Sequence, residues 1–457
     1  MSSQAPASGL RLQIAAIEQE IASLLAQKAK LEETLATVPF PALSLPLDIA
    51  RLIFHRVVPD HPSNRRIVEA LKIAGVCTAW RDIVFTAPEL WTTVAVKTGN
   101  VAMVQALDTW LPRTKGSAFK LIINFERDER VATAVWAAAT RYSAQWQDVL
   151  LTTGDSLTLP LPNSLPALTA LTIQGDLALE CADGSTVDAP HFSHLSLDTP
   201  ILMFQLGLPL EQVATLYLQG ESYSGLIPIL AKTPDVRDLT LDFSDSDGLV
   251  ASAGASSPLV LTCLHTLEYN HDLPEAIVIA LVLPVLHTLR FRSELPGPFN
   301  TVPTSQLLTM PGTGARRALR ELEIGRTRGH TVTSQVMAWL AGLPTLTRLT
   351  ICLDGFGPED IATFCNEIAG GDLLPELETL LITHMKRAVE AQVLADVVER
   401  RWRWVGGGSR IKKFEVQLVG EDVLGYVERR LGSGQMKGLE YMISQGHSTH
   451  PHNLNMY

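Results

Sequence analysis

At 457 residues the chain has room for two or three compact domains or one long repeat array. An apolar content of 46% with 19% charged residues describes a foldable chain and argues against disorder. The balance of 37 basic against 48 acidic residues, net −11, lacks the clustered cations that duplex nucleic acid or an anionic membrane surface requires.

No basic, then apolar, then small-residue pattern opens the sequence, so no secretory signal is expected. The longest apolar run, 276–286, is about half a membrane span and holds a proline. Five scattered cysteines (Cys77, Cys181, Cys263, Cys352 and Cys365) fit a reducing compartment, cytoplasmic or nuclear, with no disulfide framework.

In chain order, residues 1–9 are small and polar and are expected to be disordered. Then Leu10, Ile14, Ile17, Ile21, Leu24, Leu31 and Leu35 recur in alternating steps of four and three, with Lys28 at the one polar position. That period keeps an apolar stripe in register along one side of a supercoiled helix and predicts a coiled-coil-like helix over 10–37. Two partners are open for it: a second copy, making a homodimer, or its own chain folded back.

Three prolines in 38–46 ("VPFPALSLP") stop that helix. Short helices are predicted over 48–58, with Ile49, Leu52, Ile53 and Val57 on one face, and over 65–74. The stretch 76–91, "VCTAWRDIVFTAPELW", follows, so 42–96 reads as a small all-helical module.

From residue 118 a phrase repeats: apolar-x-x-apolar-x-apolar, often ending in a polar residue or glycine. It stands as "LTALTIQG" (168–175), "FSHLSLD" (192–198), "VATLYLQG" (213–220), "LHTLEYN" (264–270) and "LHTLRFR" (286–292), among ten clear copies. Degenerate copies lie at 118–124, 146–152 and 436–442, making about thirteen. Six carry proline two residues before the first apolar position: Pro166, Pro190, Pro234, Pro284, Pro344 and Pro375. Helix-like stretches separate many copies, for example 131–142, 331–342, 358–370 and 388–402. The predicted unit is strand, turn and helix, with Leu171 and Ile173 and their equivalents in a continuous core and Thr172 on the other face. One such unit cannot bury its apolar side alone, so only the stack is stable.

Residues 118–442 resemble leucine-rich repeats with a helix on the convex side. Residues 42–96 resemble an F-box: the Leu45-Pro46 opening, "DIARLIF" as first helix, then V-C-x-x-W-R-x-I and T-x-P-x-L-W. The order heptad helix, F-box, repeats is similar to a group of fungal F-box proteins. Asp48-Ile49-Ala50 departs from the family, which usually has glutamate and a larger aliphatic residue there, and Ala50 offers less apolar area for an adaptor contact. The expected fold is thus α/β, a leucine-rich-repeat solenoid over 97–445 behind the F-box module, ending in a flexible tail at 446–457.

The resemblance implies a substrate-recognition adaptor of an SCF-type cullin–RING ubiquitin ligase, not an enzyme. Carried over by position, Leu45, Pro46, Ile49 and Leu52 enter the groove of the ligase's adaptor subunit, which links the chain to the cullin, and Trp80 and Arg81 flank it. Ile53, Val76, Ile83 and Val84 form the module's core, and Pro88 and Trp91 join it to the first repeat. Residues exposed between the core positions are candidates for holding an unknown protein substrate: Tyr217, Glu268, Arg290, Arg292, Glu323 and Glu415, with Thr172, Ser196, Thr240 and Thr350. Arg290 with Arg292 is the one pair that suits a phosphate. No P-loop, dinucleotide fingerprint or H-E-x-x-H is found, and His191 and His194 lack further ligands at metal spacing, so no cofactor or metal is expected. The alternative function is a protein-interaction scaffold outside any ligase, using the repeat surface and the coiled coil.

Overall fold

The structure, a computed structural model, describes residues 5–37, 45–58, 65–99, 102–181, 186–198, 207–220, 226–243, 258–270, 281–291, 319–325, 337, 339–352, 356–370, 373–385, 397, 399–401, 411–418 and 440–445. The chain divides into two compact units, Met1–Trp91 and Thr92–Tyr457.

The first unit opens with α1 (Ala5–Thr37), a single 33-residue helix. It begins inside the segment expected to be disordered; Pro6 sits in its first turn, where a missing N–H leaves no bond unmade. Every described side chain from Arg11 to Thr34 is exposed, so none of the other described residues covers the apolar stripe there.

Three short helices follow: α2 (Leu47–Val57), α3 (Arg65–Ala74) and α4 (Thr78–Thr86), closed by a 3-10 turn at Pro88–Leu90. Their shared core is Ala50, Phe54, Val58, Ile67, Ala70, Ile73, Val84, Ala87, Leu90 and Trp91. Two expectations are corrected by this. Ile53 and Val76 are exposed, not core, and Ile83 is half-buried; only Val84 of the four is fully inside. Ala50 faces inward with Phe54, one turn on, so its small size belongs to the unit's own packing and takes nothing from the opposite face of α2.

Among the described residues of the second unit fourteen strands form one sheet, all neighbours parallel. They are β1 (Thr93–Lys97), β2 (Phe119–Phe125), β3 (Trp146–Thr153), β5 (Ala170–Gln174), β7 (His194–Asp198), β8 (Thr215–Gly220) and β9 (Asp238–Phe243). The second half comprises β11 (Thr266–Tyr269), β13 (Thr288–Phe291), β14 (Glu321–Ile324), β15 (Arg348–Cys352), β16 (Thr379–Met385), β17 (Lys413–Leu418) and β18 (Glu440–Gln445). Spatial order follows chain order throughout. The first strand, β1, falls within the stretch assigned by sequence to the helical module, whose boundary therefore moves back to Trp91.

The repeat phrase proves to be a register. Leu121, Val149, Leu171, Leu195, Leu216, Leu239, Leu267, Leu289, Leu322, Leu349, Leu380 and Phe414 stand side by side on successive rungs. The thirteenth copy breaks phase: Phe414 pairs with Tyr441, two residues beyond the Leu439 that the phrase selects. Parallel sheets are ordinarily covered on both faces and read as unbroken apolar runs. Here the phrase alternates, and Leu171 and Ile173 are buried while Thr172 between them is half-buried, so at these rungs one face is packed and the other is partly open; at the first two strands Ala95 and Ile122 on that other face are buried as well.

The prolines mark a turn ahead of the strand. In five copies the N–H of the first apolar residue bonds to the carbonyl just before the proline, as in Leu168 to Leu165, Phe192 to Ala189 and Leu346 to Leu343. This places proline second in a four-residue turn, where its fixed φ is already correct. Gly175 ends β5 at φ +85, and a Cβ there would meet the Thr153 carbonyl oxygen at 1.9 Å.

The connections vary more than a strand-turn-helix unit predicts. Helices α5 (Ala102–Trp110), α6 (Glu129–Thr140), α7 (Leu226–Lys232) and α8 (Pro358–Gly370) cover some units. Elsewhere short second strands pair instead: β4 (Leu157–Leu161) with β6 (Leu177–Cys181), and β10 (Leu259–Val260) with β12 (Leu281–Val282). The predicted helices at 331–342 and 388–402, residues 1–4 and the tail at 446–457 lie wholly or mostly outside the described residues. One continuous apolar core runs from Val94 to Phe414. Among the described residues no helix is long and apolar enough to cross a membrane.

Candidate functional site

Among the described residues two surfaces bear exposed or half-buried side chains, one in each unit. In the helical unit, Pro46 is the residue before α2, and its carbonyl accepts the helix's first hydrogen bond from Ala50 at 3.0 Å. Beyond it Leu45, Leu47, Ile49, Leu52, Ile53 and Val57 on or beside α2, Val68 and Leu71 on α3, and Val76 are 38–59% exposed. These nine aliphatic side chains include all three aliphatic residues marked from sequence for adaptor contact.

Trp80 and Arg81 are placed differently. The Trp80 ring meets the Phe54 ring edge-on at 5.1 Å, tying α4 to α2, and is half-buried. The Arg81 Nε–H donates to the carbonyl of Ala74 at 3.2 Å, satisfying the end of α3. The C-x-x-W spacing is a helix start: the Cys77 sulfur accepts from the Trp80 N–H at 3.5 Å, three residues into α4. Trp91 is wholly buried, and its indole N–H donates to the Val84 carbonyl at 2.9 Å. The motif thus fastens the helices together first and offers surface second.

The second surface is the open face of the sheet. The residues between core positions align in rows, and the central row changes character along the array. Ala95, Ile122 and Leu150 make an apolar start; Thr172, Ser196, Tyr217 and Thr240 follow; then come Glu268, Arg290 and Glu323, and finally Thr350, Leu381 and Glu415. The apolar start was missed by looking for polar residues; taking the residue one after each anchor, whatever its type, would have found it. Arg292 lies outside the described residues.

Several charges on this face are matched rung to rung. Arg290 lies between Glu268 at 3.6 Å and Glu323 at 3.7 Å, and Arg348 lies 3.4 Å from Glu321. Lys120 bonds Asp148 at 2.6 Å and Lys97 bonds Glu126 at 2.8 Å, whose hydrogen bond and charge raise the lysine's pKa. Arg290 is therefore flanked by carboxylates, which a phosphate would have to compete with there. A recess of about 200 Å³ beside it is lined by both signs, including Glu323, Arg348, Lys413 and Glu415.

The centre of the face is a buried-edge polar cluster. Tyr217 Oη shares its proton between Gln219 Oε1 at 2.8 Å and Asp242 Oδ2 at 3.1 Å, and Asn270 donates to the same oxygen at 2.9 Å. Burial, and then the Asp242 charge, push the Tyr217 hydroxyl far above its ordinary range, so it stays neutral and donates. Asp198, one rung back, is also raised, by burial first and the Asp242 charge second. Burial lifts the Cys365 thiol to about 12, which keeps it protonated and inert. Among the described residues no three His, Cys, Asp or Glu side chains gather as a metal set, and His194 Nδ1 instead meets Ser193 Oγ at 2.8 Å. What these groups can do is hold a partner through many fixed polar contacts.

No known protein family and no curated protein matches the chain. Among solved structures, a Bacteroides fragilis protein from a structural genomics programme is similar over 77% of this chain and 75% of its own, at 13% identity and a TM-score of 0.27. That overlap is too loose to carry fold or function.

Proposed function

We propose that this chain is a non-enzymatic recognition subunit of an SCF-type ubiquitin ligase, its helical unit docking to the ligase adaptor and its sheet face holding a target protein. The observation that carries this reading is the number of large aliphatic side chains left exposed on and beside α2 and α3. Nine large apolar side chains exposed on so small a unit are more than a monomer's scattered surface hydrophobics. They begin at the Leu45-Pro46 pair, where the sequence resembles an F-box. The long open face, individually patterned and rigid on its hydrogen-bonded ladder, suits recognition of one protein partner.

The test is capture of the purified adaptor by the full chain. Leu45→Ala, Ile49→Ala and Leu52→Ala combined should weaken capture by about a hundredfold or more, since clustered apolar anchors carry most of an interface's energy. Thermal unfolding should be unchanged, because those side chains are exposed. Trp80→Ala is the poorer probe, as it also removes the packing on Phe54. Full capture by the triple variant, or none by the unaltered chain, would overturn the assignment and leave the scaffold reading.

A further inference from the structure

No described residue of the chain covers the heptad stripe of α1 between Ile14 and Leu31. Ile14, Ile17, Ile21, Leu24 and Leu31 are 51–63% exposed along a helix of 33 residues, about 50 Å long. In heptad letters Ile14, Ile21, Lys28 and Leu35 are a positions, and Leu10, Ile17, Leu24 and Leu31 are d positions.

We propose that a second copy of this chain covers the stripe, in an antiparallel two-stranded coiled coil with Ile21 opposite the partner's Leu24. This inference does not depend on the ligase reading. Self-complementarity of the stripe supplies the occupant: with that pairing Ile14 meets the partner's Leu31, and of the six layers between Ile14 and Leu31 only the two symmetry-related ones with Lys28 against Ile17 are not apolar on both sides.

Charge sets the direction. In a parallel, in-register pair the two Lys28 side chains would share one core layer, two ammonium groups face to face. Reversing one helix puts Lys28 opposite the partner's Ile17 and level with the partner's Glu18, an e position on the same flank. Lys28 already stands 3.7 Å from Glu32 on its own helix. The reversed pair also brings Arg11 to the partner's Glu32, both at e positions, and symmetry repeats each contact. Both acidic e residues, Glu18 and Glu32, thereby gain a cation.

The same charges set the register. Sliding one helix by a heptad in either direction puts Glu18 against either the partner's Glu18 or the partner's Glu32, a like-charge contact. The two Thr37 ends then leave opposite ends of a rod about 50 Å long, so the dimer is bivalent toward a target with two sites.

Light scattering on the full chain at tens of micromolar should give twice 49.8 kDa. Ile21→Asp with Leu24→Asp should weaken association at least about a hundredfold without changing the far-UV spectrum, because both positions are exposed in the single chain. For direction, a mixture of Arg11→Cys and Glu32→Cys chains should form a double-mass band on mild oxidation that the parent chain does not, while Leu31→Cys alone, which keeps Lys28, should not. Cross-linking of Leu31→Cys with itself would overturn the antiparallel direction. A monomeric mass, a mass above two chains, or association that survives the paired aspartates would overturn the dimer.

Discussion

The two units use the same aliphatic residues to opposite ends. In the array, Leu216, Leu239 and Leu289 are sealed between neighbours on either side. In the N-terminal unit, Ile21, Ile49 and Leu52 are left in solvent. The difference is one of supply. Each rung of a stack brings the next rung's apolar residues as its own cover, whereas a lone helix or a three-helix unit runs out of chain before it runs out of apolar surface. An apolar residue in the array therefore stabilises the fold, and one on α1 or α2 is available to a partner.

The contrast can be broken most sharply by paired substitutions. Leu239→Ala empties a fully buried site and should cost about 2–5 kcal/mol, whereas Leu52→Ala should stay within about 0.5 kcal/mol. Urea unfolding of the two variants checks this; equal losses would mean α2's face is packed after all. A smaller effect separates packing from surface within the W-R motif. Trp91→Phe keeps an aromatic ring and loses the indole bond to Val84, a loss of about 1–3 kcal/mol with a buried carbonyl left unmet, read from the thermal midpoint.

The smallest effect lies on the open face. Asp198 has a raised pKa in the fold, so its contribution to stability is fully present below the ordinary value of 3.8 and is lost as pH rises through the raised value. Asp198→Asn should accordingly unfold at a higher urea concentration than the unaltered chain at pH 6.5, and the gap should close toward pH 3.5. The groups facing it are Asp242, Tyr217 and Gln219, so a gap that also vanishes in Asp242→Asn locates the cause in that pair.

Much of the array was legible because its rule is local. Twelve anchor residues identified by one six-residue phrase fall on one line of rungs, since stacking identical units forces identical register. The phrase failed at β18, where Tyr441 takes the place expected of Leu439; an end strand has a neighbour on one side only and is held less firmly to the pattern. The connections were less legible, because a short strand such as β6 and a helix such as α6 both satisfy the packed side of a unit. In the helical unit Ile53 and Val76 look as apolar as Val84, and only helix phase against the neighbouring helices separates outside from inside.

Residue order alone determined the heptad stripe, the repeat period, the side of the sheet that each strand residue faces and the proline turns, all properties carried by spacing along the backbone. Tertiary structure decided which charges were already matched, as when Glu268 and Glu323, 55 residues apart in sequence, came to flank Arg290. It decided also that Trp80 and Arg81 hold helices together before they face anything else. Spacing fixes where a side chain points, but its neighbours come from distant chain, and an electrostatic or packing role belongs to the neighbours.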